Sequence, residues 1–211
     1  MRLAECFFLF YVTPVALAFV RWRTDWPLSF VMAFFFVAAF ALLWRDPAFD
    51  RRNLFRFDAI RTGWKPVVLR FLILAAVLAT LFFVLKPASA FDFPRRLPLT
   101  WFLFCLQFPF LPAYAEELVF RGFFLHRYRL LFVNDSVRWF ACGIAFSLAH
   151  LHLANVWASA LSFIGGMIFA RTYDRSRSLP LVALEHALWG IFLFTIGLGP
   201  FFHKRLLELA P

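Results

Sequence analysis

Apolar residues in this chain come in long runs, and polar residues are confined to the short stretches between them. A bilayer-crossing helix needs about 20 mostly apolar residues. Leu3–Val20, Pro27–Trp44 and Pro66–Leu85 meet that need, the last carrying only Arg70. Leu97–Leu125 is a fourth run, interrupted by Pro98, Pro109 and Pro112. Trp139–Ala170 has 32 residues without Asp, Glu, Lys or Arg. As one helix it would be roughly 48 Å long against a hydrocarbon core of about 30 Å, so the pattern predicts two helices turning near His152–Val156. Leu179–Phe202 is the last run, broken only by Glu185 and His186. The pattern thus predicts an all-α polytopic membrane helix bundle with about seven transmembrane helices, forming one domain over 1–211.

Composition strengthens this reading. The chain is 63% hydrophobic and 16% charged, with 33 Phe and 8 Trp, whereas soluble domains carry about 25% charged residues. The net charge of +10 raises nucleic acid as a partner, but the basic residues cluster between spans, where the positive-inside rule accounts for them. With seven spans, thirteen Lys and Arg fall on the N-terminal face and seven on the other, Lys204 and Arg205 included. This predicts a cytoplasmic N-terminus. Arg45–Lys65, with Phe49, Phe55 and Phe57 interleaved, reads either as an interfacial segment on anionic lipid headgroups or as an ordinary solvated loop. Ala16-Leu17-Ala18 has the look of a signal-peptidase site, but a single Arg2 makes a poor basic region, and the first run is read as a retained span. Cys6, Cys105 and Cys142 lie scattered in apolar runs without CxxC spacing, which argues against a disulfide framework or a thiolate metal site.

Candidate chemistry sits inside the fourth run, at Glu116, Glu117 and Arg121. Ionisable groups at membrane depth are costly and mark a functional site by default. On a helix Glu117 and Arg121 are four apart with the acid first, the favourable order for an ion pair. Glu116 points about 100° away and has no local partner, which leaves it to act as a general base. His150 ends the fifth span, with His152 and Asn155 at the turn, and the seventh span supplies His186. Counting at 1.5 Å per residue, Glu116 and His150 lie roughly 15 and 18 Å from the 126–138 loop, and His186 roughly 12 Å from the 171–178 loop. These depths are measured from one face, so three helices bring three ionisable groups to a common level. His152 and Trp189 are read as packing or hydrogen-bonding residues.

Glu116-Glu117-x-x-x-Arg121, then Phe146-x-x-x-His150, then a late intramembrane histidine resembles the CAAX protease and bacteriocin-processing (Abi) family of glutamic-type intramembrane proteases. The match covers about 97–202. The resemblance implies endopeptidase activity on a membrane-associated protein or peptide, with Glu116 as catalytic base, His150 and His186 completing the site, and Glu117, Arg121 and Phe146 in support. The family's last motif is His-x-x-x-Asn, and this chain has Gly190 there. Its oxyanion donor is then another group, such as Asn155 or Trp189, or is dispensed with. The resemblance implies metal-free chemistry. The same three residues also form a two-His, one-carboxylate set that could ligate Zn²⁺, although HExxH is absent. Serine chemistry is disfavoured because no Gly-x-Ser-Gly pattern occurs. A non-catalytic role in bacteriocin immunity or as a scaffold, with the polar cluster serving helix packing, is the reading from a different class; a transporter is weakened by the absence of repeated halves. The compact, Arg- and Phe-rich chain suggests a bacterial inner membrane.

Overall fold

A computed structural model describes residues 1–24 and 28–202. Pro27, the expected start of the second span, and Lys204 and Arg205 in the charge count lie outside the described residues. The described residues form helices and no strands. Seven long helices carry the architecture: α1 Arg2–Arg21, α2 Leu28–Arg45, α3 Asp58–Leu85, α4 Pro98–Arg127, α5 Asp135–Ala149, α6 Val156–Ser176 and α7 Leu179–Ile196. They fall where the seven runs were expected. Among the described residues four are long and apolar enough to cross a membrane, namely α1, α3, α4 and α7, with a shorter apolar helix within α2. Large apolar side chains such as Phe30, Phe34, Leu69, Leu72 and Val84 are exposed, as suits a molecule whose solvent is lipid. The chain is an integral membrane protein.

Several boundaries differ from the sequence pattern for identifiable reasons. The third helix begins at Asp58 rather than Pro66, so its first two turns, with Arg61 and Lys65, are polar and project beyond the apolar run. The segment before it is a loop with one 3₁₀ turn, Arg51–Leu54, capped by Asp50; Phe49 and Leu54 are buried there while Phe55 and Phe57 are exposed. The last helix stops at Ile196 instead of running to Phe202. Gly197 adopts φ 118°, a left-handed conformation that caps the helix and that a side chain would disfavour. Between α5 and α6 the chain turns through Leu151–Leu153 and Ala154, and Asn155 accepts from the backbone N–H groups of Trp157 and Ala158 to start α6.

The prolines of the fourth run do not break α4. Proline lacks the N–H that its turn needs, and widening to a π turn absorbs the defect. Pro109–Ala113 is such a turn, with the N–H of Ala113 donating to Phe108 O five residues back at 3.1 Å. A second π segment, Leu118–Phe124, contains no proline and is buried throughout. Glu116 and Glu117 lie on the short α-helical piece Tyr114–Glu117 between the two. π segments inside α-helices are frequent at functional sites.

Much of the phenylalanine excess forms one core around α4. The Phe10 ring on α1 packs edge-on against Phe120, Phe124 and Tyr128 at 4.9–5.8 Å, while Glu5 accepts from Arg127 and Tyr128. On the other side, Arg70 of α3 donates to Glu185 of α7 and, at 2.8 Å, to Thr172 of α6. This pair neutralises the lone charges of two apolar spans and joins three helices.

Candidate active site

Glu116 from α4, His150 from the C-terminal end of α5 and His186 from the middle of α7 converge. Glu116 Oε2 is 3.9 Å from His150 Nε2 and 4.0 Å from His186 Nε2. Glu116 Oε2 is buried and has no hydrogen-bond partner of its own. A water 2.8 Å from two atoms so spaced would see them at roughly 90°, an unstrained angle, so each gap is one bridging water wide.

The histidines are oriented by their other nitrogens. At the end of α5 the backbone N–H of His150 turns back to Ser147, leaving the Phe146 carbonyl to the His150 ring, whose Nδ1 lies 2.9 Å away. A carbonyl only accepts, so Nδ1 carries the hydrogen and the neutral ring presents a lone pair at Nε2. His186 Nδ1 lies 2.9 Å from Glu117 Oε1, which fixes the same tautomer when it donates to the carboxylate.

Glu117 and Arg121 are both fully buried, with Oε1 and Nη1 3.0 Å apart. The Arg121 guanidinium also donates to the Gly166 carbonyl of α6 and lies over the Phe146 ring at 4.3 Å and near Phe169 at 5.2 Å. Phe146 therefore touches the cation and both histidines, whose rings it meets edge-on at 4.7 and 5.6 Å. Phe169 stacks on His186 at 4.9 Å. The aromatic packing fixes ring positions that hydrogen bonds alone would leave free to tilt.

Two apolar cavities, of about 120 and about 380 Å³, both reach Glu116, His150 and His152. The smaller lies against α1 and α2, the larger between α3, α4, α6 and α7, where Phe108, Trp189 and Gly190 join His186 in its wall. Asn155 is the N-cap of α6 and lines neither cavity. His152 Nδ1 pairs with the Ala149 carbonyl at 2.8 Å. Gly190 is closely covered: a Cβ there would overlap the Phe108 ring.

Sequence reasoning missed the Glu117–His186 contact, the Arg70–Glu185 pair and the Phe108 ring over Gly190. The middle one had a signal in two single charges of opposite sign in separate apolar spans. The other two depend on helix rotation, which residue spacing does not report.

Tetrahedral Zn²⁺ with ligand bonds near 2.0–2.1 Å sets neighbouring ligand atoms roughly 3.4 Å apart, and the spacings here are 3.9 and 4.0 Å. Among the described residues no group of three or more His, Cys, Asp or Glu is placed to hold a metal.

Fold and site together define an all-helical integral membrane protein with a polar centre enclosed by its helices and open to apolar cavities. Residues 98–192, just under half of the chain, are similar to the family model described as type II CAAX prenyl endopeptidase Rce1-like. Glu116, His150 and His186 all fall within this segment. No curated protein and no solved structure matches the chain.

Proposed function

We propose that the chain is an intramembrane endopeptidase in which Glu116 activates water against a peptide bond of a membrane-associated protein or peptide. The observation that carries this reading is the meeting of Glu116 Oε2 with two imidazole Nε2 atoms at 3.9 and 4.0 Å. Glu116 and one of the two imidazoles accept the two hydrogens of a water held in the gap between them, leaving its oxygen lone pairs toward the substrate. Glu116 takes one proton as the oxygen bonds to the scissile carbonyl carbon. The tetrahedral intermediate collapses with cleavage of the C–N bond, and the proton passes from Glu116 to the leaving amine. General-base assistance of this kind is worth about 10²–10⁴-fold. No covalent intermediate and no metal is needed.

Glu117 acts through His186: it orients the ring, and Arg121 neutralises Glu117. The larger apolar cavity suits an apolar side chain or chain segment of the substrate. Residues 1–211 work as a single membrane domain in a bacterial inner membrane, with the N-terminus in the cytoplasm and substrate entering from that side. Nucleic acid has no part in this reading.

The test is a comparison of membrane proteomes from cells carrying wild type and Glu116→Gln. Accumulation of uncleaved membrane-linked peptides in the variant, with the variant present at wild-type level, supports the proposal. Unchanged processing by a folded Glu116→Gln protein defeats it.

A further inference from the structure

The proposed centre is rich in acceptors and short of donors. His150 and His186 each commit Nδ1 elsewhere, to the Phe146 carbonyl and to Glu117, so in the neutral rings both Nε2 atoms facing Glu116 are acceptors. Glu116 adds carboxylate oxygens. These groups suit a nucleophilic water, but none is a fixed donor for the negative oxygen that forms when the carbonyl is attacked. Stabilising that oxygen with preorganised donors is usually the largest single contribution to acyl-transfer catalysis.

Trp189, one of the residues lining the larger cavity, carries a donor that nothing uses. Trp189 Nε1 is buried and has no hydrogen-bond partner, whereas a buried indole N–H usually finds one. Among the described residues, Arg121, Arg138 and Trp189 have buried side-chain donors without a partner, and of these Trp189 alone lines the cavity that Glu116, His150 and His186 share. Trp189 follows His186 by three residues on α7, which puts both on one face of the helix, about 4.5 Å apart along its axis. Its ring is braced edge-on by Phe71 at 5.1 Å and Phe192 at 6.1 Å. The next position, Gly190, contributes no polar side chain, and the Phe108 ring occupies the space above it.

We propose that Trp189 is the carbonyl-binding residue of this centre: its indole N–H donates to the oxygen of the scissile carbonyl and holds the oxyanion. The assignment rests on the endopeptidase reading. It explains the orphaned indole N–H and completes the acceptor-only trio with a donor on the same face of α7 as His186.

The test uses the full chain, purified in lipid nanodiscs, with two probes: a hydrophobic tripeptide aldehyde, whose hydrate carries a tetrahedral oxygen, and the matching tripeptide amide. Two proteins are compared with wild type, Trp189→Phe and the chain with 3-benzothienylalanine incorporated at 189, which keeps the bicyclic shape and replaces N–H by sulfur. Loss of one oxyanion donor costs about 100-fold or more. We therefore expect both proteins to bind the aldehyde about 100-fold more weakly and the amide within about threefold of wild type, at unchanged melting temperature. If Trp189→Phe disturbs packing, the benzothienyl protein decides. Should that protein keep the wild-type preference for aldehyde over amide, Trp189 is a packing residue and the assignment is wrong. Should wild type itself show no such preference, the endopeptidase reading fails and takes the assignment with it.

Discussion

His186 Nδ1 and Glu117 Oε1 lie 2.9 Å apart, and the same carboxylate oxygen is 3.0 Å from Arg121 Nη1. One buried carboxylate thus joins a helix-internal ion pair to a ring on another helix. The adjacent acid, Glu116, has no hydrogen-bond partner at Oε2, and Glu117 likewise has none at its own Oε2. The two neighbouring glutamates thus face different groups, Glu117 meeting Arg121 and His186 Nδ1, and Glu116 the Nε2 atoms of His150 and His186.

This arrangement makes Arg121 indispensable to the charge of Glu117. Removing one member of a buried pair costs about 3–5 kcal/mol, because the other is left uncompensated. We expect Arg121→Met to lower stability by that order, and Glu117→Gln combined with Arg121→Met to recover a substantial part of it. Denaturant unfolding in detergent micelles, run as a double-mutant cycle, measures both.

A steric prediction attaches to Gly190. A Cβ at this position would overlap the Phe108 ring, and overpacking of this kind costs about 1–3 kcal/mol. Gly190→Ala is expected to lower the melting temperature, and adding Phe108→Leu to raise it again. A double variant no more stable than Gly190→Ala alone would show that the ring is not the obstacle.

How much of this was legible in the sequence depends on what helix geometry transmits. Helix rise is constant, so counting residues from the loops is enough to bring Glu116, His150 and His186 to one level, and spacing of four is enough to pair Glu117 with Arg121. Contacts between helices depend on azimuth. The π segments Pro109–Ala113 and Leu118–Phe124 change the rotation per residue on both sides of the two glutamates, so a regular helical wheel does not yield the reach of Glu117 to His186. The Phe108 ring over Gly190 is hidden for the same reason. Helix ends were misjudged where polar residues extend a helix past its apolar run, as at Asp58, or where a glycine stops one inside it, as at Gly197.

Outside the spans, Asp46 supplies a pH-dependent contact. Its carboxyl is held below the ordinary value of 3.8 by the hydrogen bond with His126 at 2.9 Å and by the backbone N–H of Ala48. A depressed carboxyl contributes stability that is fully present above its unfolded pKa and is lost as pH falls through the folded one. Asp46→Asn should therefore flatten the decline in melting temperature below about pH 4. An unchanged acid limb would remove Asp46 from the account.

Metal removal separates the water mechanism from a zinc mechanism using the same residues. With gaps of 3.9 and 4.0 Å around Glu116 Oε2, peptide cleavage is expected to survive incubation with 1,10-phenanthroline. Loss of cleavage that Zn²⁺ restores would require the three residues to close into a tetrahedral site.

The central claim is that Glu116 is the base, and it is tested most directly by purified wild type, Glu116→Gln and Glu116→Asp in nanodiscs, incubated with a library of hydrophobic peptides and read by mass spectrometry for new C-termini. The account predicts new termini with wild type and a loss of about 10²–10⁴-fold with Glu116→Gln at unchanged melting temperature. Glu116→Asp should keep partial activity, since it shortens the reach but retains the carboxylate. Wild-type cleavage by a folded Glu116→Gln protein would contradict it.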